Sequence, residues 1–534
     1  MKKITVRKDS YYDSVFLMLA TRELKETKGV KEAIVAMGTP MNLNLLVGMG
    51  FAVEQLSLAR PNDLVIALDA ETGEAAEQAV SAALAIINRK KDPAVCAAAG
   101  LAHAGSFDSA LKILPEANLA LISLPGLHAA RATRKALERG LHVMLFSDNV
   151  PLDDEINLKR LAVAKGLLLM GPDCGTAIIN GKPVCFANVV RRGPVGIVAA
   201  SGTGLQEVSC LIDRFGSGVS QAIGTGSRDL KDARVAGMTT LLALEAFKHD
   251  QGTKVLVVVS KPPLPEIAAE VTAALKTAGK PAVAFFLGLA WERQDDEKLA
   301  FASSLEETAL LACAFASGAG DAAAARAMIA DRAVDMAAVR ARALEEAKLL
   351  LPGQKYVRGL YTGGTLCDEA LFVLHGTLGD VRSNNHVDPA FVPIDPGVSE
   401  GNVVIDLGDD YFTVGKPHPL IDPGGRIDRI MKDGRDKETA VILLDIVLGY
   451  GSHPDPAGAC LEAIGQAKAA AERRGGHLIV VASITGTPAD PQGLLAQASR
   501  LEDAGVIVMP SNYRAALLAL EIIRAVRAGV GVKK

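Results

Sequence analysis

The stretch GPVGIVAASGTGLQEVSCLIDRFG, Gly193 to Gly216, decides the fold. Val195 to Ala200 is an apolar run of strand length, Ser201-Gly202-Thr203-Gly204 is a glycine-containing turn, and the apolar spacing after it is that of a helix stopped by Gly216. A buried strand, a tight turn and a helix in that order form one half of a parallel β-α-β unit. The same order returns at VRGLYTGGTLCDEA, where Thr362-Gly363-Gly364-Thr365 follows an apolar strand and opens a helix.

The flanking sequence repeats the pattern. After Gly216 come GVSQAIGTGSRD, KVLVVVSKPP and KPAVAFFLG, three more passages from strand to loop. Before Gly193, NLALISLPG, LHVMLFS and LLLMG read as short buried strands, separated by amphipathic helices ending at Gly140 and Gly166. Strands alternating with helices at this spacing predict parallel sheets. Residues 319–355, rich in Ala, Arg and Glu and closed by Pro352-Gly353, read as a helical linker. Beyond them, NVVIDLG, AVILLDIVLG, HLIVVASIT and GVIVMP supply the strands of another sheet, and YRAALLALEIIRAV its last helix. The prediction is therefore an α/β protein with Rossmann- or flavodoxin-like parallel-sheet domains at 106–192, 193–318 and 356–534. A small α+β unit over 1–105 precedes them, with strands at KITVRK, KEAIVAM and DLVIAL and no legible role.

Composition narrows the function. At 534 residues, with 49% hydrophobic and 22% charged residues and a formal net charge of −4, the chain is globular and has no nucleic-acid-binding bias. Aromatic residues are only 4%, so platforms for stacking bases are not expected. The start lacks the apolar stretch of a signal peptide and no apolar run is long enough to span a bilayer, which predicts a cytoplasmic protein. The seven cysteines are scattered without a C-x-x-C pair, so they are expected to be free thiols, and no metal site is expected.

Ligands of open parallel sheets sit beyond the carboxyl ends of the strands. Those ends include the loops Ser123 to Gly126, Phe146 to Pro151 and Gly171 to Thr176, all expected on one edge. Their polar or backbone-exposing residues, Ser123, Pro125, Ser147, Asp148, Asn149, Asp173, Cys174, Gly175 and Thr176, are candidates for holding a substrate. Cys174 has no histidine near it in sequence, so a small buried filler is preferred to a nucleophile. The turn Ser201, Gly202, Thr203, Gly204 reads either as an anion site at a helix N-terminus or as a tight turn capped by Ser201 or Thr203. Its repetition at Thr362, Gly363, Gly364, Thr365 suggests two dipoles aimed at one phosphate. His418, between two prolines in GKPHPLIDP, sits on a loop that cannot be helical and is a candidate proton donor or carrier. Asp409 and Asp410 read as solvated turn acids rather than cation ligands.

Residues from about 110 to 315 resemble the α subunit of succinyl-CoA synthetase, on GPDCGTAI and GPVGIVAASGTGLQE, and residues from about 356 to 530 resemble the carboxy-terminal domain of its β subunit, on GLYTGGTL. With YYDSVFLML, SDNVPLDDEI, LGDDYFTVGKPHPLIDP and LLDIVLGYG as well, the whole chain resembles the FdrA family, which fuses both halves. The resemblance implies a succinyl-CoA-synthetase-type fold, a coenzyme-A-binding-like first Rossmann domain and coenzyme A as a candidate ligand of the strand-end loops. Three departures from the synthetases follow. Lys261 stands where they carry the glutamate that supports a phosphohistidine, and no histidine lies between residues 250 and 374, where the phosphohistidine belongs. No ATP-grasp domain precedes the β-type half. Lys261 becomes a candidate for adding positive charge toward an anionic substrate, with an exposed Lys-Pro-Pro turn as the plain alternative. What the family resemblance implies is one subunit of an oxamate carbamoyltransferase of purine-ureide breakdown, a hetero-oligomer with two companion subunits, acting on a small carboxylate and an acyl phosphate. A homodimer, an ADP-forming acyl-CoA synthetase and a non-catalytic coenzyme-A-binding scaffold are the alternatives.

Overall fold

The computed structural model describes residues 1–534 apart from 9, 11, 13, 26, 57–58, 61–62, 90–103, 290–293, 414–415 and 530–534. The chain divides into two units, Met1–Val143 with Phe412–Pro417, and Met144–Tyr411 with His418–Lys534.

In the first unit, strands β1 (Lys2–Arg7), β2 (Val30–Met37) and β3 (Leu64–Ala70) form an antiparallel sheet in the order β1-β3-β2. Alternation along β3 sends Leu64, Ile66 and Leu68 to one face and Val65 and Ala67 to the other. The first face packs against Leu17 and Leu24 of α1 (Ser14–Lys25) and Ala79 and Ala83 of α3 (Gly73–Arg89), α2 being Pro40–Gly48. The second packs against Leu46, Phe51 and Leu56. Both faces are thus covered, and the central strand is apolar throughout except for Asp69 near its end. The same unit carries β4 (Leu119–Ile122) and α4 (Gly126–Glu138), with the division of the chain falling inside β5 (His142–Leu145).

The second unit opens with α5 (Leu152–Ala164), β6 (Leu169–Met170) and the hairpin β7 (Thr176–Ile179) and β8 (Lys182–Cys185). It then builds two parallel sheets. The first contains β9 (Val195–Ala200), β10 (Val219–Gly224), β11 (Val255–Ser260), β12 (Ala282–Phe286) and β13 (Leu299–Phe301), in the order β13-β12-β11-β9-β10. The second contains β14 (Tyr356–Tyr361), β15 (Val381–Arg382), β16 (Asn402–Asp406), β17 (Thr439–Val447), β18 (Ile479–Thr485) and β19 (Ile507–Met509), in the order β15-β16-β14-β17-β18-β19. Setting aside the two-residue β15, both sheets run second-first-third-fourth-fifth, the doubly wound order whose ligand crevice opens where the chain reverses direction beside the first strand. Those first strands are β9 and β14. The turns quoted at the outset are their carboxyl ends.

Two boundaries differ from the sequence reading. The β7–β8 hairpin lies before residue 193 in the chain, yet β7 pairs antiparallel with β10 through Ala177↔Ile223 and Ile178↔Ala222, extending the first sheet to seven strands. Hairpin alternation alone does not reveal which sheet accepts its edge. The stretch read as a linker is helical, with α7 at Ala322–Met328 and α8 at Met336–Ala347. Ala322, Ala325, Ala343, Ala347 and Leu350 are buried in the same core as Val257 and Leu443, one from each sheet. It is a structural layer of the second unit. At about 1.5–3 kcal/mol per fully buried large aliphatic side chain, such a shared core holds the two sheets as one body.

Candidate functional site

The two turns meet. Helix α6 (Gly202–Arg214) follows β9 with Ser201 as N-cap, its Oγ accepting from the Gly204 N–H at 3.0 Å. Helix α9 (Gly364–Leu378) follows β14. The Ser201 and Thr365 hydroxyls lie 2.7 Å apart, and the Thr365 N–H donates to Thr203 Oγ1 at 3.3 Å. Glycine is required at the junction, since a Cβ on Gly363 would fall 2.8 Å from the Thr203 side chain. The N–H groups of Gly202, Thr203 and Gly364, at the first positions of their helices, have no acceptor among the described residues. Gly202 is exposed, and Thr203 and Gly364 are half-buried. Three donors without acceptors and two helix N-termini therefore lie at one junction.

The other donors of the second turn are already committed, which corrects two of the phosphate-binding candidates. Buried Asp445, near the carboxyl end of β17, accepts from the Thr362 N–H at 2.8 Å, the Thr362 hydroxyl at 2.9 Å and the Gly363 N–H at 2.8 Å. Arg426, 2% exposed, donates to both the Asp445 carboxylate and its carbonyl. Thr362 and Gly363 hold the turn in place and have no N–H left for a ligand.

Lys261, at the end of β11, lies beside this junction, its Nζ 2.9 Å from where a Cβ on Gly364 would stand, with its side chain a fifth exposed. Its Nζ pairs with Asp368 Oδ2 at 3.0 Å, so its charge is shared rather than free. Burial by itself would lower the Lys261 ammonium pKa, but the Asp368 and Asp406 carboxylates outweigh it and hold the pKa above the ordinary lysine value. Asp406 ends β16, paired with Tyr361 of β14, and is 7% exposed. Its Oδ1 accepts from the Gly408 N–H at 2.8 Å and its Oδ2 from the Asn385 amide at 3.2 Å, and the same amide donates to Asp368 Oδ1 at 2.9 Å. Burial pushes the Asp406 carboxyl up to about 6 against the pull of Lys261.

His418 joins the same group. A Cβ on Gly408 would stand 2.6 Å from His418 Nε2 and 3.1 Å from Asp406 Oδ1, so both groups lie against that glycine. His418 Nδ1 accepts from the Leu420 N–H at 3.2 Å, which leaves the ring proton on Nε2. Burial lowers its pKa to about 4, so the ring is neutral at pH 7 and offers an N–H. Lys261 and His418, 157 positions apart in the chain, thus border a single carboxylate.

The strand-end loops sort into two kinds of residue. Asp173 N–H donates to Ser147 O at 3.0 Å and Cys174 N–H to Leu145 O at 3.2 Å, stitching the second and third loops together. Asp148, Asn149 and Asp173 are exposed on them, with Asn149 and Asp173 at φ of 51° and 57°. Ser147 is buried and Gly175 half-buried. Cys174 and Thr176 turn inward, which makes Cys174 the buried filler preferred from sequence and removes both side chains from the substrate-contact candidates. The Cys174 thiol, 2% exposed, contacts Gly224 O at 3.3 Å, burial pushing its pKa up to about 12, and the Thr176 hydroxyl donates to Phe186 O at 2.7 Å. Ser123 and Pro125 belong to the first unit, where Pro125 is the N-cap of α4 and both are half-buried.

Asp368, Asn384, Asn385, Asp406, Arg426 and Asp445 went unread in the sequence. Asp406 was findable, since it ends a strand beside the turn-bearing one. So was Asp445, a lone acid inside an apolar nine-residue strand that needs a buried partner. Asn384 and Asn385 sit in an irregular loop without a local signal. Among the described residues no group of three or more His, Cys, Asp or Glu is arranged to hold a metal ion, six cysteines are free thiols, and no helix is long and apolar enough to cross a membrane. Cys96 lies outside the described residues.

Residues 360–522 match the family model described as CoA-ligase, and residues 1–100 the one described as AllF, heavy metal-associated domain. The relative named uncharacterized protein YahF, from Escherichia coli strain K12, is 44% identical over 521 residues, 98% of each chain. ADP-forming succinate–CoA ligase subunit alpha 2 of Archaeoglobus fulgidus is 29% identical over 191 residues, 34% of this chain and 64% of its own. Among solved structures, the apo form of a dinucleotide-forming acetyl-coenzyme A synthetase 1 from Ca. Korarchaeum cryptofilum aligns with 77% of this chain and 84% of its own, at 18% identity and a TM-score of 0.27.

Proposed function

We propose, since this chain belongs to the FdrA family of acyl-CoA-synthetase-like proteins, that it is the phosphate- and acyl-phosphate-binding subunit of a cytoplasmic oxamate carbamoyltransferase. The reaction is oxalurate plus phosphate giving carbamoyl phosphate plus oxamate, and its reverse. A phosphate oxygen bonds to the ureido carbonyl carbon, the bond from that carbon to the oxamate nitrogen breaks, and the phosphate's proton passes to the departing nitrogen. No ATP is consumed.

The observation that carries this reading is the joined pair of helix N-termini, with the N–H groups of Gly202, Thr203 and Gly364 left without acceptors among the described residues and Gly364 lying against Lys261. Preorganised donors of this kind favour a multiply charged phosphoryl group and the negative charge that develops on the carbonyl oxygen. His418, neutral with its proton on Nε2, is placed to donate to the carbonyl or to the leaving nitrogen. The absence of histidine from residues 250–374 supports direct phosphorolysis over a phosphoenzyme. We assign two companion subunits to the assembly, which complete the carboxylate site.

A second reading, an ADP-forming acyl-CoA synthetase whose nucleotide site lies on another chain, is favoured by the CoA-ligase match over 360–522. In it, exposed Asp148, Asn149 and Asp173 contact coenzyme A. The test is phosphate release from carbamoyl phosphate and oxamate, with this chain alone and with its companions. Turnover that requires this chain supports the first reading, and no turnover in any combination ends it. Thioester formation from ATP, coenzyme A and succinate would establish the second, and stabilisation by coenzyme A without either reaction would leave a scaffold.

A further inference from the structure

The junction of the two turns carries an acceptor as well as donors, and a bare phosphate site has no use for an acceptor. A Cβ on Gly364 would lie 2.6 Å from Asp406 Oδ2 and 2.9 Å from Lys261 Nζ. The carboxylate oxygen and the ammonium therefore stand side by side against the residue whose N–H is unpartnered. Asp406 is held from several directions. The Asn384 amide donates to its carbonyl at 2.9 Å, the Asn384 carbonyl accepts from its N–H at 2.9 Å, and Gly408 and Asn385 fix one carboxylate oxygen each. With one hydrogen bond on each oxygen, the ionised group keeps further lone pairs for another donor.

Facing a phosphoryl group such an oxygen is repulsive, so it lowers affinity for plain phosphate. It becomes favourable when the group attached to the phosphate carries N–H. A carbamoyl group supplies an NH₂, whereas an acetyl group of the same size and shape supplies a methyl. Resting on the acyl-phosphate reading above, we propose that Asp406 is the specificity-determining residue, accepting from the carbamoyl NH₂ while the Gly364 N–H and Lys261 hold the oxygens. Sites built to hydrogen-bond a polar group reject the analogue lacking it, because the buried partner is left unpaired.

The test is titration of the full-length protein, with its companions where they are needed for binding, with carbamoyl phosphate, acetyl phosphate and inorganic phosphate. The native protein is expected to bind carbamoyl phosphate at least about tenfold more tightly than acetyl phosphate, a modest share of what polar readout achieves elsewhere. Asp406→Asn turns an acceptor edge into a donor and is expected to bring that ratio to about one while inorganic phosphate still binds. Equal affinities in the native protein, or an unchanged ratio in Asp406→Asn, overturn the assignment and leave the acyl-phosphate site standing. Binding of none of the three overturns both. Should Asp406→Asn fail to fold, the native ratio decides alone.

Discussion

The hydroxyls of Ser201 and Thr365 lie 2.7 Å apart although 164 residues separate them in the chain. That bond joins the N-terminal turns of two helices from two different sheets, so removing it should loosen the turns relative to each other. Thr365→Val keeps the shape and deletes the hydroxyl. It should destabilise the protein by roughly 1–2 kcal/mol in urea unfolding and weaken phosphate binding less than Ser201→Ala does, since the N–H that Thr365 gives to Thr203 is a backbone group that valine keeps, whereas Ser201 Oγ also caps the Gly204 N–H. In a double-mutant cycle the pair should show coupling of about 1 kcal/mol.

Asp445 gathers two N–H groups, one hydroxyl and the Arg426 guanidinium in a fully buried position. Asp445→Ala leaves a cation almost without solvent access and without its carboxylate. Breaking a buried pair from one side costs about 3–5 kcal/mol, so this variant should be largely insoluble or unfold far earlier in denaturant. Asp445→Asn keeps an acceptor and should be affected less.

Glu369 is buried where its oxygens accept from the Leu305 N–H and the Asn512 amide, and burial pushes its carboxyl from the ordinary 4.5 up to about 8. Between these values the folded chain keeps a proton that the unfolded chain releases. Its contribution to stability is therefore full below about pH 4.5, falls as pH rises by at most about 1.4 kcal/mol per unit, and levels off above about 8. Urea midpoints measured from pH 5 to 8 should decline less steeply in Glu369→Gln than in the native protein. Parallel slopes would show that Glu369 is ionised in the fold.

Cys174 is the thiol with the most suggestive sequence setting, and the structure buries it with its sulfur against Gly224 O. Thiolates react and thiols do not, so alkylation of Cys174 by iodoacetamide at pH 8 should be undetectable in the native protein and fast in urea. Cys174→Ala should retain activity within about twofold and lose about 1 kcal/mol of stability, the scale of one buried group removed.

Much of the fold was legible because its signals are local. The apolar runs that became β9, β11, β14, β17 and β18, the glycine turns after β9 and β14, and the alternation along β3 all depend on residues within a few positions of one another. The candidate site was legible only at those turns, at Lys261 and at His418, where a strand end or a proline-bounded loop marks the chain. Asp406 was marked by its place at a strand end, but Asn385 was not, because an amide in a loop has the same local pattern whether it faces solvent or the carboxylates of Asp368 and Asp406.

What the sequence by itself determined, then, was that two strand–glycine turn–helix units exist and that each ends in N–H donors. The tertiary structure decided which donors remain. Packing of the two sheets on one core brought Ser201 to Thr365, and buried Asp445, itself paired with Arg426, took the donors of Thr362 and Gly363. The N–H groups of Gly202, Thr203 and Gly364 were left without acceptors among the described residues, with Gly364 lying against Lys261 and Asp406. Hydrogen-bonding capacity belongs to a residue type, but whether it is spent internally depends on neighbours that only the folded chain supplies.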